Sequence, residues 1–279
     1  MNDTDLHKKN NLNFSEIFLS IYRHKHLVFT LSRREIAARY RGSTLGLAWS
    51  FLTPLIMLII YTFIFSVVFH AKWGTQASES KMDFAIILFV GLIVHALFAE
   101  CINSAPGLII SNVSYVKRVV FPLEILPVIS LISAVFNCMV SMCILFLAYL
   151  FAHGTLHLTS FWFPVVLLPM ITGTLGVAWI FAALGVFLRD IGQTVGIITS
   201  VMLFMSPVFF SVSALPPAFQ KLIYLNPLSF IIEEMRAVII WGHPPDLTGL
   251  LIYSAASIFV LWIGFCCFQK TRKGFADVL

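Results

Sequence analysis

The fold is decided by residues 125–188, which read ILPVISLISAVFNCMVSMCILFLAYLFAHGTLHLTSFWFPVVLLPMITGTLGVAWIFAALGVFL. No Asp, Glu, Lys or Arg occurs in this stretch. A helix crosses the hydrocarbon core of a bilayer with about 20 apolar residues, so the stretch has room for two crossings. The sequence HGTLH at residues 153–157 supplies a turn between them, and we place the crossings at residues 125–152 and 161–188.

The whole chain shares this apolar character. Of its 279 residues, 59% are hydrophobic and 11% are charged, whereas soluble domains carry about 25% charged residues. The composition therefore predicts an all-α integral membrane protein. The net charge of +5 is no sign of nucleic-acid binding here, because what matters is where the charges lie relative to the bilayer. The five cysteines fall in apolar segments and are predicted to pack as small apolar residues.

Six transmembrane helices are predicted along the chain. Besides the two above, apolar runs cover residues 45–69, 84–111, 191–212 and 247–268. An even number of crossings places both termini on the same side of the membrane. Fourteen Lys and Arg residues fall on that side and four on the other. Positive charge is in excess on the cytoplasmic side, so both termini are predicted to be cytoplasmic.

The predicted domains follow from these crossings. Residues 1–44 form a cytoplasmic N-terminal segment, residues 45–268 the transmembrane domain, and residues 269–279 a cytoplasmic tail. In the N-terminal segment, Asn13 and Glu16 have the spacing of a helix cap, and apolar residues follow at helical spacing. This pattern predicts an amphipathic helix on the inner leaflet. A cytoplasmic helix that packs on a partner protein is the alternative.

Residues 213–246 do not fit a plain crossing, because prolines and charged residues interrupt them. Irregular or charged backbone at membrane depth must be buried in protein or line water. Two short outer-face helices or a re-entrant hairpin before the last crossing satisfy this requirement. In the fourth crossing, small residues predict close packing of helices: Gly173, Gly176, Ala178, Ala182 and Gly185.

Four arginines are clustered within nine residues shortly before the first crossing, namely Arg33, Arg34, Arg39 and Arg41. A topology signal needs only loose positive charge and explains such a cluster. Arginines that are ordered on a helix at the hydrocarbon boundary can also hold a diphosphate through paired hydrogen bonds. A nucleic-acid arm is excluded, because the segment leads directly into a membrane crossing.

Glu100 is the one acid deep inside a predicted crossing. Such a charge faces the protein interior or a water-filled path, which predicts a functional polar site. A carboxyl group that bonds to a neighbouring helix is the plainer alternative. Aromatic residues of the first and fifth crossings are candidates to line a path for sugars, although burial alone explains any one of them. These candidates are Trp49, Phe51, Tyr61, Phe65 and Phe204.

The sequence lacks the common motifs for nucleotide binding, zinc-dependent hydrolysis and serine hydrolysis. No Gly-x-x-x-x-Gly-Lys-[Ser/Thr] occurs, so the chain does not itself hold ATP in a P-loop. Neither His-Glu-x-x-His nor Gly-x-Ser-x-Gly occurs. We therefore predict no catalytic residue, no metal site and no cofactor in this chain.

Five sequence motifs are distributed along the chain. The first is R-x-I-x-x-R-Y-R-x-S-x-L-G-x-x-W-x-x-x-x-P at residues 34–54. The others are KRVVFPLEILP at 117–127, FLRDI-x-Q at 187–193, NPL at 226–228 and FAD at 275–277. The motifs cover nearly the whole chain in order, and they resemble those of permease subunits of ABC transporters that export polysaccharides. They are most similar to those of O-antigen exporters, and capsule and teichoic-acid exporters are near relatives.

The resemblance implies a six-crossing half-transporter in the bacterial cytoplasmic (inner) membrane. Such permeases form homodimers and bind two copies of a separate ATPase subunit, which holds ATP and Mg. They move a polysaccharide on an undecaprenyl-diphosphate anchor to the outer leaflet. The resemblance also implies that the N-terminal amphipathic helix lies at the cytoplasmic interface and that the segment before the last crossing caps the channel.

Site residues follow from this resemblance together with the arginine cluster. Arg34, Arg39 and Arg41 are predicted to receive the lipid diphosphate. The loop between the second and third crossings is predicted to contact the ATPase through Lys117, Arg118 and Glu124. Two other classes stay open: a proton-driven flippase that uses Glu100, and an intramembrane enzyme, for which the sequence lacks a cluster of acids or histidines.

Overall fold

A computed structural model describes residues 14–39, 41–46, 48–64, 73, 81–117 and 121–279. Within these ranges all regular elements are helical and no strand occurs, which confirms the all-helical class. Four helical stretches there are long and apolar enough to cross a membrane: Met82–Gly107, Ile125–His153, Leu158–Phe187 and Leu247–Val278. Two shorter apolar helices, Ala48–Ile64 and Ile191–Phe204, lie at the first and fifth predicted crossings. The count of six crossings stays a prediction.

The helices are numbered in chain order. They are α1 (Phe14–Arg23), α2 (Lys25–Arg39), α3 (Ala48–Tyr61), α4 (Lys81–Ser104), α5 (Val113–Val116), α6 (Ile125–His153), α7 (Phe163–Phe187), α8 (Ile191–Phe204), α9 (Pro217–Tyr224), α10 (Pro227–Ile239), α11 (Leu247–Thr271) and α12 (Phe275–Val278). Helices α6 and α7 match the predicted crossings closely. Helix α8 ends at Phe204, earlier than predicted, since Pro207 cannot donate a helical hydrogen bond and disfavours helical backbone before it.

Helix α1 has the length and spacing expected of the predicted amphipathic helix. Ile17 is buried against the rest of the protein, whereas Phe18 and Tyr22 are exposed. The proposed cap, Asn13, lies outside the described residues. An exposed aromatic side suits a membrane interface, but the placement of α1 on the inner leaflet stays a prediction.

The tightest packing joins α7 to α11 and to the 3-10 turn after α4. A Cβ atom on Gly264 would collide with the backbone of Gly176, and one on Gly185 would collide with the backbone of Pro106. Only glycine permits such an approach of two backbones. The close packing predicted from the small residues of α7 is confirmed.

Residues 213–246 contain two short helices, α9 and α10, and their place at the outer face stays a prediction. Arg236 of α10 is fully buried. Its guanidinium donates to three backbone oxygens and to one carboxylate and lies 4.2 Å from the centre of the Trp73 ring. The accepting atoms are the carbonyl oxygens of Ile87, Pro207 and Val208, at 2.6–3.2 Å, and Oε1 of Glu233 at 2.9 Å. Arg236 thus fastens α10 to α4 and to the segment after α8.

We expect Arg236→Ala to lower the free energy of unfolding by about 3 kcal/mol, because buried carbonyl groups would lose their donor. Thermal unfolding of the purified protein in detergent, followed by tryptophan fluorescence, measures this loss. The matched control is Lys221→Ala, an exposed cation of α9, which should change the stability by less than about 0.5 kcal/mol. Equal effects of the two substitutions would refute the fastening role of Arg236.

Candidate functional site

A charged group lies where α2, α4 and α6 meet. Nη1 of Arg39, the last residue of α2, lies 2.5 Å from Oε1 of Glu100 in α4. Nδ2 of Asn137 in α6 donates to both carboxylate oxygens of Glu100, at 2.8 and 3.1 Å. The side chains of Arg39 and Glu100 are 40% and 26% exposed, so the pair remains accessible from one side.

This arrangement explains how a carboxylate is tolerated in a predicted crossing. Charged groups at membrane depth are costly unless they pair within the protein. The predicted crossings contain no Lys or Arg, and the ionic partner of Glu100 comes from α2, the helix that precedes them. Asn137 was missed, although it is the only Asn or Gln of the uncharged residues 125–188 and could have been found on that ground.

The Arg39–Glu100 pair lines a cavity of about 490 Å³. Residues of α3, α4 and α6 form most of its wall, together with one residue of α8. The lining residues are Arg39, Trp49, Ser50, Thr53, Pro54, Met57, Tyr61, Phe89, Leu92, Ile93, His95, Ala96, Glu100, Asn137, Ser141 and Leu203. The cavity therefore combines one cation, one carboxylate, an amide, several hydroxyl groups and aromatic rings.

A second carboxylate, Glu35, lies one helical turn before Arg39 on α2. Burial raises the pKa of Glu35 above its usual range, and the nearby Glu100 carboxylate raises it further. The positive charges of Arg39 and Arg34 act in the opposite direction and lower this pKa. Arg39 thus lies in the field of two acidic groups, of which Glu100 lines the cavity and Glu35 does not.

The structure separates the three arginines that were predicted to act together. Arg34 donates to the Tyr115 hydroxyl at 2.9 Å and lines a different, smaller cavity of about 220 Å³. Arg41 follows the end of α2 in an exposed turn, next to Gly42, whose φ is 87°. Only Arg39 lines the larger cavity. The binding of a diphosphate by these three arginines stays a prediction.

The aromatic candidates are also divided. Trp49 and Tyr61 line the cavity, whereas Phe51 is exposed on α3 and Phe204 lines a groove along α8. Phe65 lies outside the described residues. The Trp49 indole donates to the Ser43 hydroxyl at 2.8 Å, which orders the turn between α2 and α3. Their roles as channel lining stay predictions.

Glu124 is buried and ties several segments together. Oε1 accepts from the Ser20 hydroxyl of α1 at 2.8 Å, and Oε2 accepts from Arg272 at 2.7 Å. The Glu124 backbone oxygen accepts from the Trp179 indole of α7 at 3.0 Å. Lys117, at the end of α5, is exposed. Arg118 lies outside the described residues, and the predicted ATPase contact of all three stays a prediction.

The chemistry of the larger cavity suits a ligand with an anionic group and a part rich in hydroxyl groups. An arginine recognises phosphate oxygens through several N–H donors. Carboxylate, amide and hydroxyl groups exchange hydrogen bonds with a polar ligand, and aromatic rings offer apolar faces. Within the part of the chain that the structure describes, no cluster of three His, Cys, Asp or Glu residues is arranged to hold a metal ion.

Comparisons with known proteins agree with these features. The family model described as ABC-2 type transporter matches residues 26–240. The O-antigen export system permease protein RfbA of Myxococcus xanthus is 28% identical over 92% of this chain and 96% of its own length. A protein of the same name from Klebsiella pneumoniae is 26% identical over 91% of this chain and 95% of its own length.

A capsule polysaccharide export inner-membrane protein, CtrC of Neisseria meningitidis serogroup B, is 23% identical over 90% of this chain and 92% of its own length. The family match spans the arginine cluster, the cavity and the segment up to α10. It confirms the resemblance that the sequence motifs indicated. The chain belongs to the ABC-2 type transporter family of membrane proteins.

Proposed function

We propose that this chain is the transmembrane half of a polysaccharide exporter of the bacterial inner membrane. Its substrate is an O-antigen-like polymer on an undecaprenyl-diphosphate anchor; a capsule or teichoic-acid polymer is the alternative within the same family. Relatives named as O-antigen and capsule export permeases support this substrate class. The proposal rests on the observation that Arg39 lines the same cavity as several polar and aromatic side chains.

In this proposal Arg39 receives the diphosphate of the anchor, because it is the arginine of the cluster that lines the cavity. Arg34 and Arg41 lie on either side of it along the chain and attract the anionic headgroup to this end of the molecule. Trp49 and Tyr61 then line the first part of the sugar path. The small volume fits one end of the polymer, and a longer channel requires a second copy.

The homodimer is supported by the exposed apolar faces of α3 and α8. Phe51 and Ile59 of α3 and Ile197 and Phe204 of α8 are each more than half exposed, or 52%, 60%, 66% and 68%. An apolar patch of this kind marks either lipid or a protein interface. We assign part of it to a second copy, with α3 and α8 of both copies around the channel.

Energy comes from a partner ATPase that binds ATP and Mg, because this chain has no P-loop. The exposed Lys117 and the neighbouring Arg118 are the residues we expect to touch that partner. Glu124 holds the loop against α1 and the C-terminal Arg272. A movement of the loop would therefore reach the N-terminal helices and the tail together.

A proton-driven flippase would use Glu100 as its proton carrier and would work without an ATPase. The ion pair with Arg39 and the bonds from Asn137 give Glu100 a role that needs no proton transfer. Membership of the ABC-2 family also favours an ATP-driven mechanism. Transport by the purified chain alone, without ATP, would restore the flippase as the better explanation.

We expect Arg39→Ala to reduce export of lipid-linked polymer about tenfold or more, because one charge-assisted contact contributes about 1.5–3 kcal/mol to binding. The measurement is the amount of polymer at the cell surface relative to the intracellular lipid-linked pool. Arg33→Ala is the matched control, since Arg33 is exposed on the same helix and does not line the cavity.

Protein levels of the two variants must be equal for the comparison. Normal export by Arg39→Ala at normal protein level would rule out the headgroup role. Equal loss in Arg33→Ala would show that general positive charge matters, as in a topology signal, rather than the position of Arg39.

We expect Lys117→Glu, alone or with Arg118→Glu, to weaken the association with the ATPase, because reversal of charge in a contact surface repels the former partner. Co-purification of the ATPase and the stimulation of its ATP hydrolysis provide the readouts. Lys221→Glu makes the same change of charge at the predicted outer face and should leave both readouts unchanged. Intact association in Lys117→Glu with Arg118→Glu would remove the predicted contact.

A further inference from the structure

Glu100 occupies a position that binding of a diphosphate does not explain. Its carboxylate lies 2.5 Å from the guanidinium that we assign to the diphosphate. A diphosphate bound to Arg39 would therefore come close to this carboxylate, and the two negative charges would repel each other. A site built for the diphosphate alone would be better without this carboxylate. Either Glu100 makes another contact with the ligand that offsets its repulsion of the diphosphate, or its only role is to pair with Arg39 when no ligand is bound.

Asn137 fixes the carboxylate in place independently of Arg39. Its amide donates to both oxygens of Glu100, and both residues line the cavity. When Arg39 turns toward an anionic ligand, Asn137 still holds Glu100. The carboxylate then retains acceptor capacity for hydroxyl groups, because its two oxygens offer about four lone-pair sites.

We propose that Glu100 and Asn137 form a subsite for the sugar residue that is joined directly to the diphosphate. This inference rests on the proposed function and specifies which part of the substrate the site reads. The sugar next to the diphosphate is covalently attached to it, so a ligand with its diphosphate at Arg39 brings that sugar close to the residue paired with Arg39. Its hydroxyl groups donate to Glu100.

The exchange of partners makes the site selective. In the empty state Arg39 and Glu100 neutralise each other. A lipid diphosphate that carries a sugar gives each residue of this pair a new partner. The diphosphate binds Arg39, and a sugar hydroxyl group donates to Glu100. A bare lipid diphosphate takes Arg39 and leaves the Glu100 carboxylate without its ionic partner, which is unfavourable for a carboxylate that is only 26% exposed. The site thus distinguishes loaded anchors from empty ones.

The rest of the cavity is compatible with a sugar. Trp49 and Tyr61 of α3 contribute rings, and Ser50, Thr53 and Ser141 contribute hydroxyl groups. The volume of about 490 Å³ lies within the range of about 300–1,000 Å³ that is usual for small-molecule sites. These walls enclose a ligand on several sides, whereas the polar groups that fix its orientation are Glu100 and Asn137.

The test compares two probes on the full chain in lipid nanodiscs of phosphatidylethanolamine and phosphatidylglycerol. The probes are undecaprenyl diphosphate and undecaprenyl-diphosphate N-acetylglucosamine, and the readout is the ratio of their dissociation constants. We expect the native chain to bind the sugar-bearing probe about tenfold more tightly, the effect of one hydrogen bond to a charged group. Arg39→Ala should weaken the binding of both probes.

Glu100→Gln should reduce this preference to less than about threefold and tighten the binding of the bare diphosphate, because the repulsive charge is gone. Asn137→Leu keeps the approximate volume, removes the bonds to Glu100 and should also reduce the preference. It decides the matter if Glu100→Gln does not fold. Glu16→Gln on α1 is the matched control: it makes the same chemical change at a residue that does not line the cavity, and it should keep the native ratio.

Three results would overturn the subsite, and they are distinguishable. Equal affinity of the native chain for both probes, with binding that depends on Arg39, would refute the sugar subsite and leave the proposed function standing. Binding of neither probe by the native chain would refute both the subsite and the headgroup role of Arg39. An unchanged preference in both Glu100→Gln and Asn137→Leu would also refute the subsite.

Discussion

The charge of Glu100, which lies inside a predicted crossing, is the constraint on which the site depends. A carboxylate there requires partners within the protein, and it finds them in Arg39 from the preceding helix and Asn137 from α6. These bonds bring the end of α2 against α4 and α6. The same bonds place a cation, a carboxylate and an amide on the wall of one cavity. The pairing that makes this charge tolerable in a predicted crossing thus also creates the candidate site.

The same rule applies to two other charged residues. Buried Arg236 joins α10 to α4 and to the segment after α8, and buried Glu124 joins α1, the start of α6 and the C-terminal Arg272. Close backbone packing at Gly176 and Gly264 holds α7 and α11 together. A bundle with few charges therefore uses each buried one to connect segments that are far apart in the sequence.

Much of the fold could be predicted from the sequence, because apolar length and the absence of charge determine where long helices form. The ends of α6 and α7 followed from the uncharged run and its turn. The early end of α8 did not follow from the sequence pattern, because the apolar run continues past Pro207 whereas a regular helix cannot continue through it. In the site, Trp49, Tyr61, Arg39 and Glu100 were candidates that the structure brings to one cavity.

Other parts of the site depend on tertiary contacts that the sequence pattern does not show, such as the pairing of Glu100 with a residue outside the crossings and the turn of Arg34 toward Tyr115. The most direct test of the account is a cryo-electron microscopy map of the exporter with its lipid-linked substrate, trapped by an ATPase subunit that cannot hydrolyse ATP. The account predicts density for the diphosphate at Arg39, with the Arg39–Glu100 pair opened and the first sugar beside Glu100. Substrate density elsewhere, with that ion pair intact, would contradict it.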